Sequence, residues 1–424
     1  MAIAFDVLQP NSTKPQVVHP QSVRPKSAVN HWAALASLCG AILVLATFKW
    51  LDNRDLPFCL VAVAVFIALP HAALALASWE SLPFATIQKQ SFSRVAIKLW
   101  GQICLFALVG MAYFIFQGFS ENYLLPLSGL GNELLLLILV ATPPYLWFTD
   151  LRMANPEDGL YHVGLLFLGK FRALEPDVIR KYLLGWVVKG FFGPLMAGFA
   201  LNDLKWFLDL RLPEGVNTAT NIYEALYRMI YFIDVLFALT GYLCTFRLLD
   251  TQIRSTEPTM VGWVVCLLCY PPFWDLFSHN FLPYEEGYYW MDWLGTVPVL
   301  WYIWAGLIIA STAIYTWATV SFGIRFSNLT NRGILTNGPY RWVKHPAYLT
   351  KNFSWWLISV PFVSTSSYAT IVRDCIALML LNVVYYLRAK TEESHLSRDP
   401  DYVAYLAWIN QNGIYAQIKH RLRR

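Results

Sequence analysis

Apolar residues along the chain come in blocks of about twenty, the length a helix needs to cross a bilayer core of about 30 Å. The blocks predict spans at 33–50, 57–79, 97–117, 133–150, 181–201, 223–246, 260–277 and 295–323. Pro70, the Pro143-Pro144 pair and the Pro271-Pro272 pair fall inside them. Prolines there predict kinks or span ends, where neighbouring helices re-satisfy the freed backbone groups. After Lys351 come two shorter apolar arms, 353–362 and 371–387, with Pro361, Ser364, Thr365, Ser366 and Ser367 between them as a turn. A hairpin of this kind returns the chain to the face it left. The polar loop before it and the polar tail after it then lie side by side. The fold class is all-α: a polytopic transmembrane helical bundle ending in a helical hairpin flanked by polar segments.

Three regions follow from this pattern. Residues 1–30 carry Pro10, Pro15, Pro20 and Pro25 among polar residues and lack a basic segment leading into an apolar run, which predicts a flexible tail. Residues 31–296 form an N-terminal transmembrane region, and 297–424 a C-terminal core. The stretch 274–293 is rich in aromatics and holds Asp275, His279, Glu285, Glu286 and Asp292, the pattern of a loop at a membrane interface with an aromatic belt. Arg228, Asp234 and Arg247 lie in or at the end of the 223–246 block. They read either as one structural ion pair with a snorkelling arginine or as part of a polar path.

Composition agrees: 57% of the 424 residues are hydrophobic and 14% charged, where soluble domains carry roughly 25% charged residues. A soluble core could not hide so much apolar surface, so lipid must cover it. The net charge of +5 is small, and its placement matters more than its size. Between Ser321 and Lys351 stand Arg325, Arg332, Arg341, Lys344 and Lys351 with no acid, and the chain ends Lys419, His420, Arg421, Leu422, Arg423, Arg424. The positive-inside rule puts both segments on the cytoplasmic side. The membrane is expected to be a bacterial inner membrane rather than endoplasmic reticulum, a choice no targeting motif decides, and no nucleic-acid partner is implied. The seven cysteines sit in or beside apolar segments, away from any disulfide spacing. Cys266-x-x-Cys269 lacks the second pair or histidine cluster that a metal site would need, and no metal is expected.

Chemistry concentrates in two places. The loop 333–348 contains Gly338-Pro339-Tyr340-Arg341 and Lys344-His345-Pro346-Ala347-Tyr348, and the tail contains Arg388, Glu392 and Glu393, then Tyr402 and Tyr405. Arg388 and Glu392 stand four apart and share a helix face. Together these segments offer acids for a cation, bases for a carboxylate and aromatic rings for a planar heterocycle. Those are the needs of S-adenosylmethionine, whose methyl is already activated, so that orientation carries much of the barrier reduction.

The two-part pattern resembles the isoprenylcysteine carboxyl methyltransferases and their relatives the phospholipid methyltransferases. It spans roughly residues 297–410. The resemblance implies that Tyr340, His345, Pro346 and Tyr348 enclose S-adenosylmethionine, that Glu392 and Glu393 hold its cationic amino group, and that Arg388 and Arg341 orient an acidic acceptor. It also implies an acceptor on a lipid or prenyl chain, entering from the bilayer. The pattern departs from the family at Lys344, where Arg is usual, at Thr350, where Gly is common, and in the shorter spacer between Glu393 and Tyr402. Two other readings fit parts of the sequence: a membrane reductase using NADPH, resembling the sterol reductases, and a non-catalytic transport or scaffold protein.

Overall fold

The computed structural model describes residues 23–77, 91–117, 131–211, 218–281, 289–295, 297–363 and 367–423. Residues 1–22 of the expected tail, Glu285, Glu286 and the turn residues Ser364, Thr365 and Ser366 lie outside the described residues. The chain forms α1 (His31–Trp50), α2 (Leu56–Ala77), α3 (Phe92–Gln117), α4 (Gly131–Leu151), α5 (Gly159–Phe167), α6 (Pro176–Asp209) and α7 (Thr218–Leu243). A two-residue strand β1 (Ser255–Thr256) precedes α8 (Met260–Leu267), α9 (Phe273–Phe281), α10 (Trp290–Leu294) and α11 (Pro298–Val320). Then follow β2 (Thr330–Asn331), α12 (Pro346–Ser359), α13 (Tyr368–Leu396), α14 (Pro400–Asn412) and α15 (Ile414–Leu422).

Among the described residues, six helical segments are long and apolar enough to cross a membrane: His31–Trp50, Leu56–Ala77, Phe92–Ala112, Pro176–Asp209, Pro298–Val320 and Tyr368–Leu396. The protein is thus an all-α polytopic membrane bundle. Local sequence marks the helix starts. Proline stands in the first turn of α6, α11, α12 and α14, where its missing N–H costs nothing. Side chains of Asn30, Asp158, Thr259 and Ser367 cap α1, α5, α8 and α13. Helices α3 and α5 cross where Gly101 faces Gly164. A Cβ on Gly101 would stand 2.8 Å from the Gly164 nitrogen, and one on Gly164 would collide with the Ile97 carbonyl. Small residues of this kind let membrane helices approach closely.

The largest core cluster joins α1, α2, α6 and α7, through residues such as Val44, Val63, Phe192, Leu204, Phe232 and Phe237, and extends to Val320, Ile324 and Leu335. At one end of the bundle the connecting segments knit together. β1 pairs antiparallel with β2, Ser255 opposite Asn331 and Thr256 opposite Thr330. Arg332 is buried there with no carboxylate bonded to it. Its Nε donates to the Thr251 carbonyl, Nη1 to those of Gly241 and Phe326, and Nη2 to those of Cys244 and Ile324. All five guanidinium N–H groups are used. Burial lowers this guanidinium to about 9, which leaves it protonated at neutral pH.

The structure alters four expectations. Residues 260–277 do not form one span: the Pro271-Pro272 pair ends α8 and separates it from α9. Residues 23–30, expected as tail, run along the 334–337 segment, where Ala28 N donates to the Ile334 carbonyl at 2.8 Å and Asn337 Nδ2 to that of Val29 at 2.7 Å. Trp290 is no belt residue but lies fully buried against Tyr223 and Trp301. Arg228, Asp234 and Arg247 do not pair with one another. Arg228 bonds Asp203 at 3.0 Å, Arg247 bonds Asp158 at 3.1 Å, and Asp234 accepts from the Tyr315 hydroxyl at 2.9 Å. Sequence separation concealed these partners.

Replacing Arg332 with methionine would take a donor from five main-chain carbonyls, of which Cys244's keeps the Thr251 hydroxyl, at a cost of about 3 kcal/mol or more. Thermal unfolding of the detergent-solubilised protein, followed by tryptophan fluorescence, should shift down by several degrees. An unchanged midpoint would show that the carbonyl cluster finds other donors.

Candidate functional site

The knitted end of the bundle holds a cavity whose empty space, open mouth included, is about 960 Å³. The segment 327–348, the final turns of α13, the end of α11 and the segment 257–270 all line it. The loop is shaped first by Gly338, at φ +53°, a left-handed backbone that any side chain would strain. A Cβ there would also collide with the Ser321 side chain, so only glycine lets the loop lie against the end of α11. The following Pro339-Tyr340-Arg341 makes a short 3-10 turn. Its Tyr340 carbonyl accepts from the Tyr405 hydroxyl at 2.7 Å, and its ring packs edge-on against Phe322. Burial raises the Tyr340 phenol well above its ordinary value, with Glu392 adding to the effect, so it stays neutral.

His345 stands at the N-cap position of α12 with its ring turned to Glu393 rather than to the helix, and Pro346 opens the helix. The first turn of α12 then places Tyr348 parallel to the His345 ring, centroids 5.5 Å apart and planes 5° from parallel. Against these stands α13, which does not stop at the apolar arm but runs as continuous helix through Arg388, Glu392 and Glu393 to Leu396. Glu392 accepts from the Tyr348 hydroxyl at 2.7 Å. Glu393 meets Lys344 Nζ at 2.7 Å, His345 Nε2 at 3.1 Å and Lys390 Nζ at 3.0 Å. Its carboxylate therefore fastens the loop to the helix.

Arg388 is buried. Its Nη2 donates to Asn328 Oδ1 at 2.7 Å, and its guanidinium lies 5.1 Å from the Tyr348 ring centre and 5.6 Å from that of Tyr270. Asn328 Nδ2 in turn donates to the hydroxyls of Tyr242 and Tyr270 at 3.0 and 3.1 Å. Beside it Leu329 holds a left-handed φ of +58°, fixed where its carbonyl accepts from Glu257 N at 2.7 Å. Such a conformation in a branched residue costs of order 1–3 kcal/mol. It turns the chain so that Ser327, Asn328, Leu329 and Thr330 all face the cavity.

Of the eight residues singled out in the sequence, Tyr340, His345, Tyr348, Arg388 and Glu392 line this cavity together. Three do not. Pro346 is buried as the helix start, Glu393 is held by Lys344, Lys390 and the His345 ring, and Arg341 is exposed with its guanidinium 4.9 Å above the Trp342 ring. Arg341 is thus set apart from Arg388, since the 3-10 turn that inserts Tyr340 points its neighbour outward.

Sequence reading missed Tyr270, Tyr315, Asn328, Lys351, Glu257 and His395, all of which line the cavity. Lys351 appeared only as one more basic residue of the loop. Asn328 carries no linear signal, because its neighbours Tyr242 and Tyr270 are far away in sequence. Glu257 and Tyr270 belong to a segment well before the C-terminal core, and Ser255 of the same segment bonds His395 Nε2 at 2.8 Å.

Glu393→Gln should weaken the contacts to Lys344, His345 and Lys390 together. Hydrogen exchange at the amides of residues 340–345 should quicken roughly tenfold or more, while exchange in α11 stays constant. Unchanged exchange in the loop would mean that Tyr405 and the backbone hold it alone.

No curated protein and no solved structure matches the chain. Residues 300–398, which hold most of α11, the loop, α12 and α13, match the model of the Isoprenylcysteine carboxyl methyltransferase (ICMT) family, so the likeness lies in the C-terminal part of this membrane protein.

Proposed function

We propose that the protein transfers a methyl group from S-adenosylmethionine to an acceptor borne on a lipid or prenyl chain, a carboxylate such as that of a prenylated cysteine, at the cytoplasmic face of its membrane. The observation that carries this reading is the meeting of Tyr340, His345, Tyr348, Glu392 and Arg388 around one cavity, from two segments that a hairpin separates. The chemistry of the walls fits the cofactor. Glu392 offers a carboxylate to a cation, the Tyr340 and Tyr348 rings offer faces to an adenine, and the loop supplies donors for a carboxylate.

When bound, S-adenosylmethionine supplies an electrophilic methyl that needs no protein nucleophile. The chain's own work is therefore placement. Glu392, held by Tyr348, aims its carboxylate into the cavity from the last turns of α13. Glu393 takes a different part from the one the family resemblance implies. Bonded to two lysines and an imidazole, it positions His345 and Lys344. Arg388, fixed by Asn328, holds the acceptor's charge one helical turn from Glu392. Its setting among tyrosine rings excludes water, which strengthens every charge interaction inside. The basic loop and the basic C-terminus support the cytoplasmic placement of this end.

Equilibrium binding of S-adenosylmethionine and of NADPH to detergent-purified protein tests the reading. S-adenosylmethionine should bind, Glu392→Gln and His345→Ala should each weaken it roughly tenfold or more, and Arg388→Lys should leave it intact while abolishing most transfer to a farnesylcysteine acceptor. Binding of NADPH in place of S-adenosylmethionine would replace this reading with that of a reductase.

A further inference from the structure

The cavity is polarised along its depth. Glu392 and Glu393 lie near the end of α13, whereas Arg388 lies one turn deeper, about 6 Å along the helix. From the other arm of the hairpin, Lys351 sits five residues into α12, about 7.5 Å from its start. The two cations converge on one ring: Lys351 Nζ is 5.9 Å and the Arg388 guanidinium 6.0 Å from the centre of Tyr385. Both line the cavity. Lys351 also lies 5.3 Å from the Tyr315 ring centre and 5.2 Å from that of Trp355, so aromatic faces surround it.

Neither cation has a carboxylate within ion-pair distance among the described residues. Arg388 bonds the neutral amide of Asn328. The nearby acids do not touch the pair: Asp234 accepts from the Tyr315 hydroxyl with one oxygen and leaves the other without a hydrogen-bond partner, and Glu392 accepts from the Tyr348 hydroxyl. Ring faces ease the burial of a cation but do not cancel its charge. Two like charges around one ring in a low-dielectric cavity repel and are desolvated at once, and Asp234 offsets Lys351 only from beyond ion-pair distance, so an anion seated between the cations would relieve both.

We infer that Lys351 and Arg388 form a two-cation seat for a lipid-borne oxyanion, a carboxylate or a phosphate, deeper in the membrane than the carboxylates of the same cavity. This rests on the methyltransferase reading for what the oxyanion is, the acceptor's charged group, but not for where it sits. A single arginine orients one oxyanion edge; the added lysine reaches it from the opposite arm of the hairpin. The seat then selects acceptors that bring a full negative charge to this depth, and an uncharged ester of the same lipid is rejected because both cations stay unpaired.

The test uses the full-length protein in detergent, with N-acetyl-S-farnesylcysteine, its methyl ester and farnesyl phosphate as probes, and S-adenosylmethionine titrated in parallel. Wild type should bind one or both anions at least tenfold tighter than the ester. Lys351→Gln should lose roughly tenfold to a hundredfold of the anion affinity and leave ester and S-adenosylmethionine binding unchanged, while Lys351→Arg restores the anion. Tighter retention of the phosphate or of the carboxylate assigns the oxyanion to that source. Equal binding of acid, phosphate and ester by wild type, or an anion preference that survives Lys351→Gln, overturns the inference. Anion preference without S-adenosylmethionine binding would uphold the seat and remove the methyltransferase reading instead.

Discussion

One arginine without an anion organises the working end of this bundle. Arg332 spends its five N–H groups on five main-chain carbonyls, taken from the end of α7, the turn after it and the segment that follows α11. Those carbonyls belong to helix ends and irregular backbone, which in the absence of water must find donors inside the protein. A guanidinium is the one side chain that serves so many acceptors from a single point. Because the same five groups bracket the loop that carries Asn328 and Leu329, the geometry of the cavity is fixed from behind. Arg325 adds to it, reaching the Arg332 carbonyl at 2.7 Å and Asp250 at 3.0 Å.

On that support the two arms of the hairpin divide the work. The C-terminal turns of α13 bring carboxylates and Arg388, and the N-terminal turns of α12 bring His345, Tyr348 and Lys351. Glu393 joins the two arms at the mouth, where its salt bridges are half-exposed and its strength comes from having three partners rather than one. Deeper in, tyrosine rings replace ion pairs. The change from paired to ring-bound charge follows the falling dielectric, since an arginine or lysine among aromatic faces stays available to a ligand in a way that a salt-bridged one does not.

Much of this was legible in the sequence. Apolar block length gave the bundle, and the loop and tail pattern named Tyr340, His345, Tyr348, Arg388 and Glu392, five of the residues that meet in the cavity, because helical periodicity and a proline-started helix translate directly into facing positions. What stayed hidden were contacts between distant segments. Arg332, Asn328 and Glu257 have partners set by the packing of α7, α8 and the loop, and no local pattern announces them. The block 260–277 misled for a different reason: its hydropathy is that of a span, while Pro271 and Pro272 break the backbone hydrogen bonding that a single helix needs. Arg341 misled because a residue beside Tyr340 in sequence faces away from it in a tight turn.

Segment 255–270 lies outside the matched residues 300–398, yet it forms a side of the cavity through Glu257, Gly262, Cys266 and Tyr270 and is stitched to the loop by the β1–β2 pair. The cavity's walls therefore come from two stretches far apart in the chain, so that a change in 255–270 would reshape the space without touching the residues the loop and α13 bring to it.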